Sequence, residues 1–287
     1  MTVMIISVVA YLILGPIVGG LLAGCDRKIT AHMQSRVGPP IRQPFYDVFK
    51  LTEKEDITVN NVQDFYVLCF LIFTIVTGCL FFAGQSLLLV FFTLTTASTF
   101  LIVAAYSSNS PYAEAGAARE LLQVMAYEPM VLLSAIGFYM ATGSFDVSQI
   151  MTSETMPFFA VWGLFIGLVF IMTIKFRKSP FDLSMSEHAH QELVGGLKTE
   201  FSGKTLAMVE VAHWYENVML LGLIFLFFAN GTVAGYVIGV VVALLTYFLE
   251  IFIDNSFARM KWQAAINSAW IVAAALGAVN LFVLLLV

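Results

Sequence analysis

Charge is scarce in this chain. Only 11% of its 287 residues are Asp, Glu, Lys or Arg, against about 25% in a soluble domain. Polar stretches are short too. The longest is roughly 40 residues, less than the about 50 a soluble domain needs. Cysteine is nearly absent. Cys25, Cys69 and Cys79 stand apart with no CxxC pair. That excludes an iron–sulfur cluster held by this chain alone, which takes about four thiolates, and leaves small apolar packers. There is no GxGxxG, Walker loop or HExxH, so the chain brings no recognisable cofactor site, and no catalytic residue is assigned. No nucleic-acid partner is expected.

What is present is apolar. Hydrophobic residues make up 60% and mean hydropathy is +0.88. The chain reads as an all-α polytopic membrane protein, a single membrane domain over residues 1–287. Thr2 to Ala23 carry no charge. This stretch has no basic n-region and, at about 22 residues, is long for a signal segment, so it reads as a retained helix.

A spanning helix needs about 20 apolar residues. Eight candidates meet this: 3–24, 64–83, 86–105, 118–142, 158–175, 204–229, 234–253 and 264–286. The net charge of −5 does not set orientation; Lys and Arg placement does. All fourteen fall in the connections 25–62, 175–205 and 254–263 or, as Arg119, at the start of the fourth helix. With eight spans they share one side, predicted to be cytoplasmic, with both termini on the other.

In the first basic connection, Ile29, Met33 and Val37, then Phe45, Val48 and Phe49, recur at spacings near three and four. Gly38-Pro39-Pro40 breaks any helix there. The expectation is a short helix, a turn and a second amphipathic helix on the cytoplasmic membrane surface. A plain basic anchor loop is the alternative.

Single carboxylates interrupt the apolar runs, at about 2.5–3.5 kcal/mol each for a midspan acid. In the fourth helix Arg119, Gln123 and Tyr127 share a face, with Glu120 and Glu128 offset from it. Pro129 frees a carbonyl and allows a kink beside Glu128. In the sixth, Glu210, His213 and Asn217 form one stripe with Glu216 within reach. That suits a proton relay, or a static network joining helices. In the seventh, Glu250 lies a turn deeper than Asp254. Asp182, Glu187, Glu192 and Glu200 crowd one connection with His188 and His190. They suggest a proton or cation funnel, or a solvated loop. The two histidines are too weak a signal for a metal site.

Four ordered motifs carry a resemblance over nearly the whole chain. They are Asp26-Arg27-Lys28 through Gln34-x-Arg36-Val37-Gly38-Pro39, with Gln43-Pro44-Phe45-Tyr46-Asp47; Arg119-x-x-x-Gln123-x-x-x-Tyr127-Glu128; Gln191-Glu192-Leu193-x-x-Gly196; and Glu200-Phe201-Ser202-Gly203. Together they resemble the membrane-anchor subunit of respiratory complex I, its subunit 1 or H, and the related subunit of energy-converting, Ech-type nickel–iron hydrogenases. Departures point to the hydrogenase branch. No insertion follows Gly-Pro, His188 and His190 stand where quinone-reducing members have acids, and Trp214 stands where they pair a Glu with a Tyr. Asn109-Ser110-Pro111-Tyr112-Ala113-Glu114 also looks like that branch.

The resemblance implies a non-catalytic membrane anchor that couples chemistry on soluble partners to H+ or Na+ movement. Those partners would be hydrogenase large and small subunits and an iron–sulfur subunit. They would carry the nickel–iron centre and the iron–sulfur clusters and take electrons from ferredoxin. An antiporter-like membrane subunit would receive the coupling. The predicted ion path uses Asp182, Glu187, Glu192, Glu200, Glu128, Glu120, Glu210, His213, Glu216 and Glu250. Arg27, Arg36, Arg42, Gln43 and Asp47 would form a docking face, since Arg forks onto carboxylates. Arg119 and Tyr127 would be structural or charge partners of the path. A component of a quinone reductase is the alternative, and a stand-alone ion transporter a lesser one.

Overall fold

A computed structural model describes residues 2–55, 60–185 and 195–286. Among these, the helices are α1 (Thr2–Met33), α2 (Gln43–Glu53), α3 (Asn61–Phe82), α4 (Leu87–Tyr106), α5 (Pro111–Thr142), α6 (Val147–Met151), α7 (Trp162–Lys175), α8 (Gly203–Leu226), α9 (Val233–Ser256), α10 (Trp262–Val272) and α11 (Val279–Leu286). No strand is present among the described residues. A π turn at Ala273–Ala278 joins α10 and α11 into one rod. Among the described residues, seven helices are long and apolar enough to cross a membrane, and the protein is a multi-pass membrane protein.

The remaining predicted span, the fifth (158–175), is α7, and it is short. Its 14 residues reach about 21 Å at 1.5 Å per residue, less than the roughly 30 Å hydrocarbon core. The deficit is made up by non-helical chain on its basic side, where residues 179–185 are all buried. Irregular backbone at membrane depth persists only where protein satisfies its polar groups. Here Gln123 donates to Phe181 O, Arg119 Nη1 to Leu183 O at 3.4 Å, Met260 N to Pro180 O at 3.2 Å and Leu197 N to Ser184 O at 3.1 Å.

Helix order places all the Lys and Arg at one end of the bundle. The opposite end holds the turns at 83–86, 143–161 and 227–232. They are tied by backbone bonds such as Leu87 N to Phe145 O at 2.9 Å and Gly231 N to Met151 O at 2.9 Å.

The expected short helix after the first span is not separate. Lys28 to Met33 continue α1, because nothing between Lys28 and Ser35, with its positive φ of 55°, interrupts the backbone bonding. The amphipathic helix forms as α2. Phe45 turns inward onto Trp214, 5.1 Å between ring centroids, while Tyr46 and Phe49 are exposed. Glycines on α1 admit this packing. A Cβ on Gly24 would overlap Ile41 O, and one on Gly20 would lie 2.5 Å from the Phe45 ring. Pro129 leaves α5 a continuous helix.

Candidate functional site

Directly after Lys175 at the end of α7, chain 176–185, half-buried to Lys178 and buried from Ser179 on, arrives between α1, α5, α8 and α9 carrying cations. Burying them is tolerable only with counter-charges and good geometry, and the carboxylates singled out from sequence supply these. Lys175 Nζ sits 3.1 Å from Glu216 and 4.3 Å above the Tyr127 ring. Arg177 lies 3.0 Å from Glu120 and 3.6 Å from Glu216. Ser184 Oγ donates to the other oxygen of Glu120. Burial opposes the charge on Arg177, but the carboxylates of Glu120 and Glu216 outweigh it and raise its pKa.

His213 closes the group. Its Nδ1 is 3.2 Å from Arg177 Nη1 and 3.4 Å from Glu216. That nitrogen can accept from Arg177 or donate to Glu216, not both at once. Its Nε2 is buried with no hydrogen-bond partner among the described residues.

Further out, the same connection clamps α1 and α9. Lys178 binds Asp26 of α1 and lies 3.4 Å from Asp254 of α9, while Ser179 N donates to Asp254 at 2.8 Å. Burial disfavours the Lys178 ammonium, yet Asp26 and Asp254 more than compensate and raise its pKa. Arg259 grips Asp182 with two bonds of 3.0 and 2.8 Å. Lys198 meets Glu210 at 2.6 Å.

These groups surround a cavity of about 580 Å³ at the basic end. Ten of its twenty-one lining residues are charged or His: Asp26, Arg27, Asp47, Arg177, Lys178, Asp182, Lys198, Glu210, His213 and Asp254. The Glu210–His213–Asn217 stripe therefore faces this cavity.

Beneath Asp254, Glu250 is fully buried, and neither carboxyl oxygen has a hydrogen-bond partner among the described residues. The neighbouring Thr173 hydroxyl donates instead to Phe170 O, 2.8 Å away.

Several sequence expectations change in detail. Glu120 takes its cation from Arg177, while Arg119, its sequence neighbour, reaches the Leu183 carbonyl. Tyr127 donates to Ser98 at 3.4 Å. Asp182 lines the cavity and is paired with Arg259. Asp47 and Gln43 are engaged within the chain. Arg27 is 2.5 Å from Asp47, and Gln43 donates to it at 2.8 Å, so these three hold α2 against α1 because the helices meet there. Arg36 and Arg42 are exposed. Glu200 is half-buried and apart from the Glu120–Glu216 group. Glu128 points away from it on the outer face of α5. Glu187 and Glu192, with His188, His190, Gln191 and Leu193, lie outside the described residues.

Sequence reasoning missed Lys175, Arg177, Lys178, Lys198, Arg259, Asp26 and Ser184 as members of the site. On composition and placement alone, these cations signal only orientation. One further signal is available: several midspan acids demand nearby cations, and Lys175-Phe176-Arg177-Lys178 is a dense basic run directly after an apolar one.

Comparison with known proteins agrees with the fold. The chain is 28% identical to the H component of NADH-quinone oxidoreductase from Anoxybacillus flavithermus, covering 96% of this chain and 90% of that one. It is 26% identical to hydrogenase-4 component C of Escherichia coli, covering 88% and 87%. A chain of the membrane-bound sulfane sulfur reductase, an archaeal respiratory membrane complex, superposes with a TM-score of 0.82 at 24% identity, covering 96% of this chain and 99% of that one. Residues 4–285 match the NADH dehydrogenase family, and the chain belongs to that family.

Proposed function

We propose that this chain is the membrane-anchor and ion-coupling subunit of a multisubunit energy-converting hydrogenase. Its basic end faces the cytoplasm and both termini lie outside. Ferredoxin oxidation and hydrogen evolution take place on soluble large, small and iron–sulfur partners, which hold the nickel–iron centre and the clusters. This chain contributes charge and proton placement to the scheme.

The observation that carries the reading is the buried network Glu120–Arg177–Glu216–Lys175 with His213, set beneath a charged cavity at the basic end. The exposed Arg36 and Arg42 provide the docking face. Events in docked partners reach the cavity wall, which Arg177, Lys178 and Asp182 help to form. His213 then has two arrangements, accepting from Arg177 or donating to Glu216, which differ in the placement of a ring proton. Glu210, Glu250, Glu200 and, outside the described residues, Glu187 and Glu192 extend the ion path. Glu128 hands the coupling to an antiporter-like partner. A two-arrangement element, not mere proximity, is what coupling requires.

A quinone-reductase component is the second reading, favoured by similarity to the NADH-quinone oxidoreductase relative and by the cavity itself. The lining speaks against it, because small-molecule pockets are mostly apolar and this one is nearly half charged or His.

The test is purification from native membranes in mild detergent, with metal analysis and activity assays. Nickel, iron and hydrogen evolution from reduced ferredoxin are expected. Iron with inhibitor-sensitive quinone reduction and no nickel would overturn the reading. Within a hydrogenase, Glu128→Gln is expected to lower ion translocation per hydrogen evolved; unchanged stoichiometry would remove Glu128 from the path.

A further inference from the structure

One fully buried acid takes no part in the ion pairs. Glu250 of α9 has neither carboxyl oxygen hydrogen-bonded among the described residues. Thr173 of α7 stands beside it, but that hydroxyl has given its hydrogen to Phe170 O at 2.8 Å. It therefore meets Glu250 with a lone pair, and a contact between two acceptors is favourable only when one of them carries a proton. A carboxylate with no donor around it is costly at membrane depth. Glu250 is accordingly a neutral acid in this arrangement.

A cation stands about one turn away. Glu250 and Asp254 are four residues apart on α9 and share a face. Lys178 lies 3.4 Å from Asp254 and also binds Asp26 of α1. Lys178 and Asp254 are the charged groups that act on Glu250. The acids of α8, Glu210 and Glu216, have Lys198 and Lys175 as partners, and α8 meets α9 through the Phe225 ring, set against Tyr236 and Gly239.

Both acids of the clamp keep a donor if the ammonium leaves. Ser179 N donates to Asp254 at 2.8 Å, and Thr30 Oγ1 donates to Asp26 at 3.4 Å. Both also line the cavity. The two acids are thus held in place, and the flexible group between them is the lysine.

We propose that Glu250 is a second partner of Lys178, reached by a proton exchange with Asp254. In the arrangement seen, Lys178 holds Asp26 and Asp254, and Glu250 keeps its proton. In the other, the O–H bond of Glu250 breaks and one forms on Asp254, while the Lys178 ammonium swings inward onto the Glu250 carboxylate. One proton changes carboxyl and no net charge is created. The proton then stands on the cavity wall, from which alkaline solvent removes it. The inference deepens the coupling reading by placing a two-arrangement element on α9, and it rests on that reading only for its use in coupling.

The experiment takes the complex purified from native membranes at acidic and at alkaline pH, by cryo-electron microscopy and infrared difference spectroscopy. At acidic pH a protonated-carboxyl band is expected, and the isosteric Glu250→Gln should abolish it. At alkaline pH the band should be lost from the native complex, with the Lys178 side chain moved from Asp254 to Glu250. An acidic-pH spectrum that Glu250→Gln leaves unchanged would overturn the neutral acid. Lys178 held between Asp26 and Asp254 at both pH values would overturn the exchange. Neither readout uses metal content or hydrogen evolution. A quinone-reducing complex would therefore refute the proposed function and leave this inference standing, while an immobile Lys178 would refute the inference alone.

Discussion

The two ends of this bundle close by different means. At the basic end, helices are joined through side-chain ions: Lys178 to Asp26 and Asp254, Arg259 to Asp182, Arg177 to Glu120. At the opposite end they are joined by backbone bonds and packed rings. Phe158 N donates to Phe227 O at 2.8 Å, Phe138 stands 4.6 Å from Phe227, and Phe158 stacks on Phe228 at 4.9 Å. Backbone and aromatic closure has one arrangement. Ion networks can re-pair when a proton moves. The contrast locates responsiveness at the basic end and rigidity at the other.

Substitutions can break this contrast or sharpen it. The largest effect is expected from Lys175→Met, which removes the nearer cation of Glu216, only 2% exposed, and leaves it the longer 3.6 Å contact with Arg177. Breaking such a pair costs about 3–5 kcal/mol, read as a fall in thermal stability of the purified complex. Lys175→Met with Glu216→Met should recover much of it, because the under-compensated carboxylate is gone and Arg177 keeps Glu120. Phe138→Ala, at the rigid end, is expected to cost about 3 kcal/mol through the cavity it leaves. It should leave ion movement per turnover unchanged; altered coupling would erase the distinction between the ends. Asp182→Asn weakens the two-pronged contact with Arg259 by about 2 kcal/mol and loosens the 179–185 segment, seen as faster hydrogen exchange there. The smallest effect is expected from Tyr127→Phe. It removes one hydroxyl bond to Ser98, about 1 kcal/mol, and keeps the ring under Lys175.

Much of this is legible in the residue order. Apolar run length marks the long spans, since each helix must satisfy its own backbone in lipid. Lys and Arg placement shows which loops share an end. The stripe Glu210–His213–Asn217 follows from helical spacing, and it does face one cavity. The pairing of charges is not legible. Arg119 adjoins Glu120 in sequence, yet Arg177, fifty-seven positions away, is the cation that meets it. Glu128 and Glu120 are eight residues apart on one helix, yet one faces out and the other belongs to the buried network, because only the packing of α4, α7 and α10 around α5 assigns its faces.

Residue order alone dictates a multi-pass helical protein with its cations at one end, because the bilayer imposes length, polarity and sidedness one segment at a time. Three-dimensional packing was needed to show that the α7–α8 connection re-enters as buried irregular chain and brings its cations to the midspan acids. Those contacts join residues distant in sequence, and local periodicity carries no information about which distant charge will neutralise which.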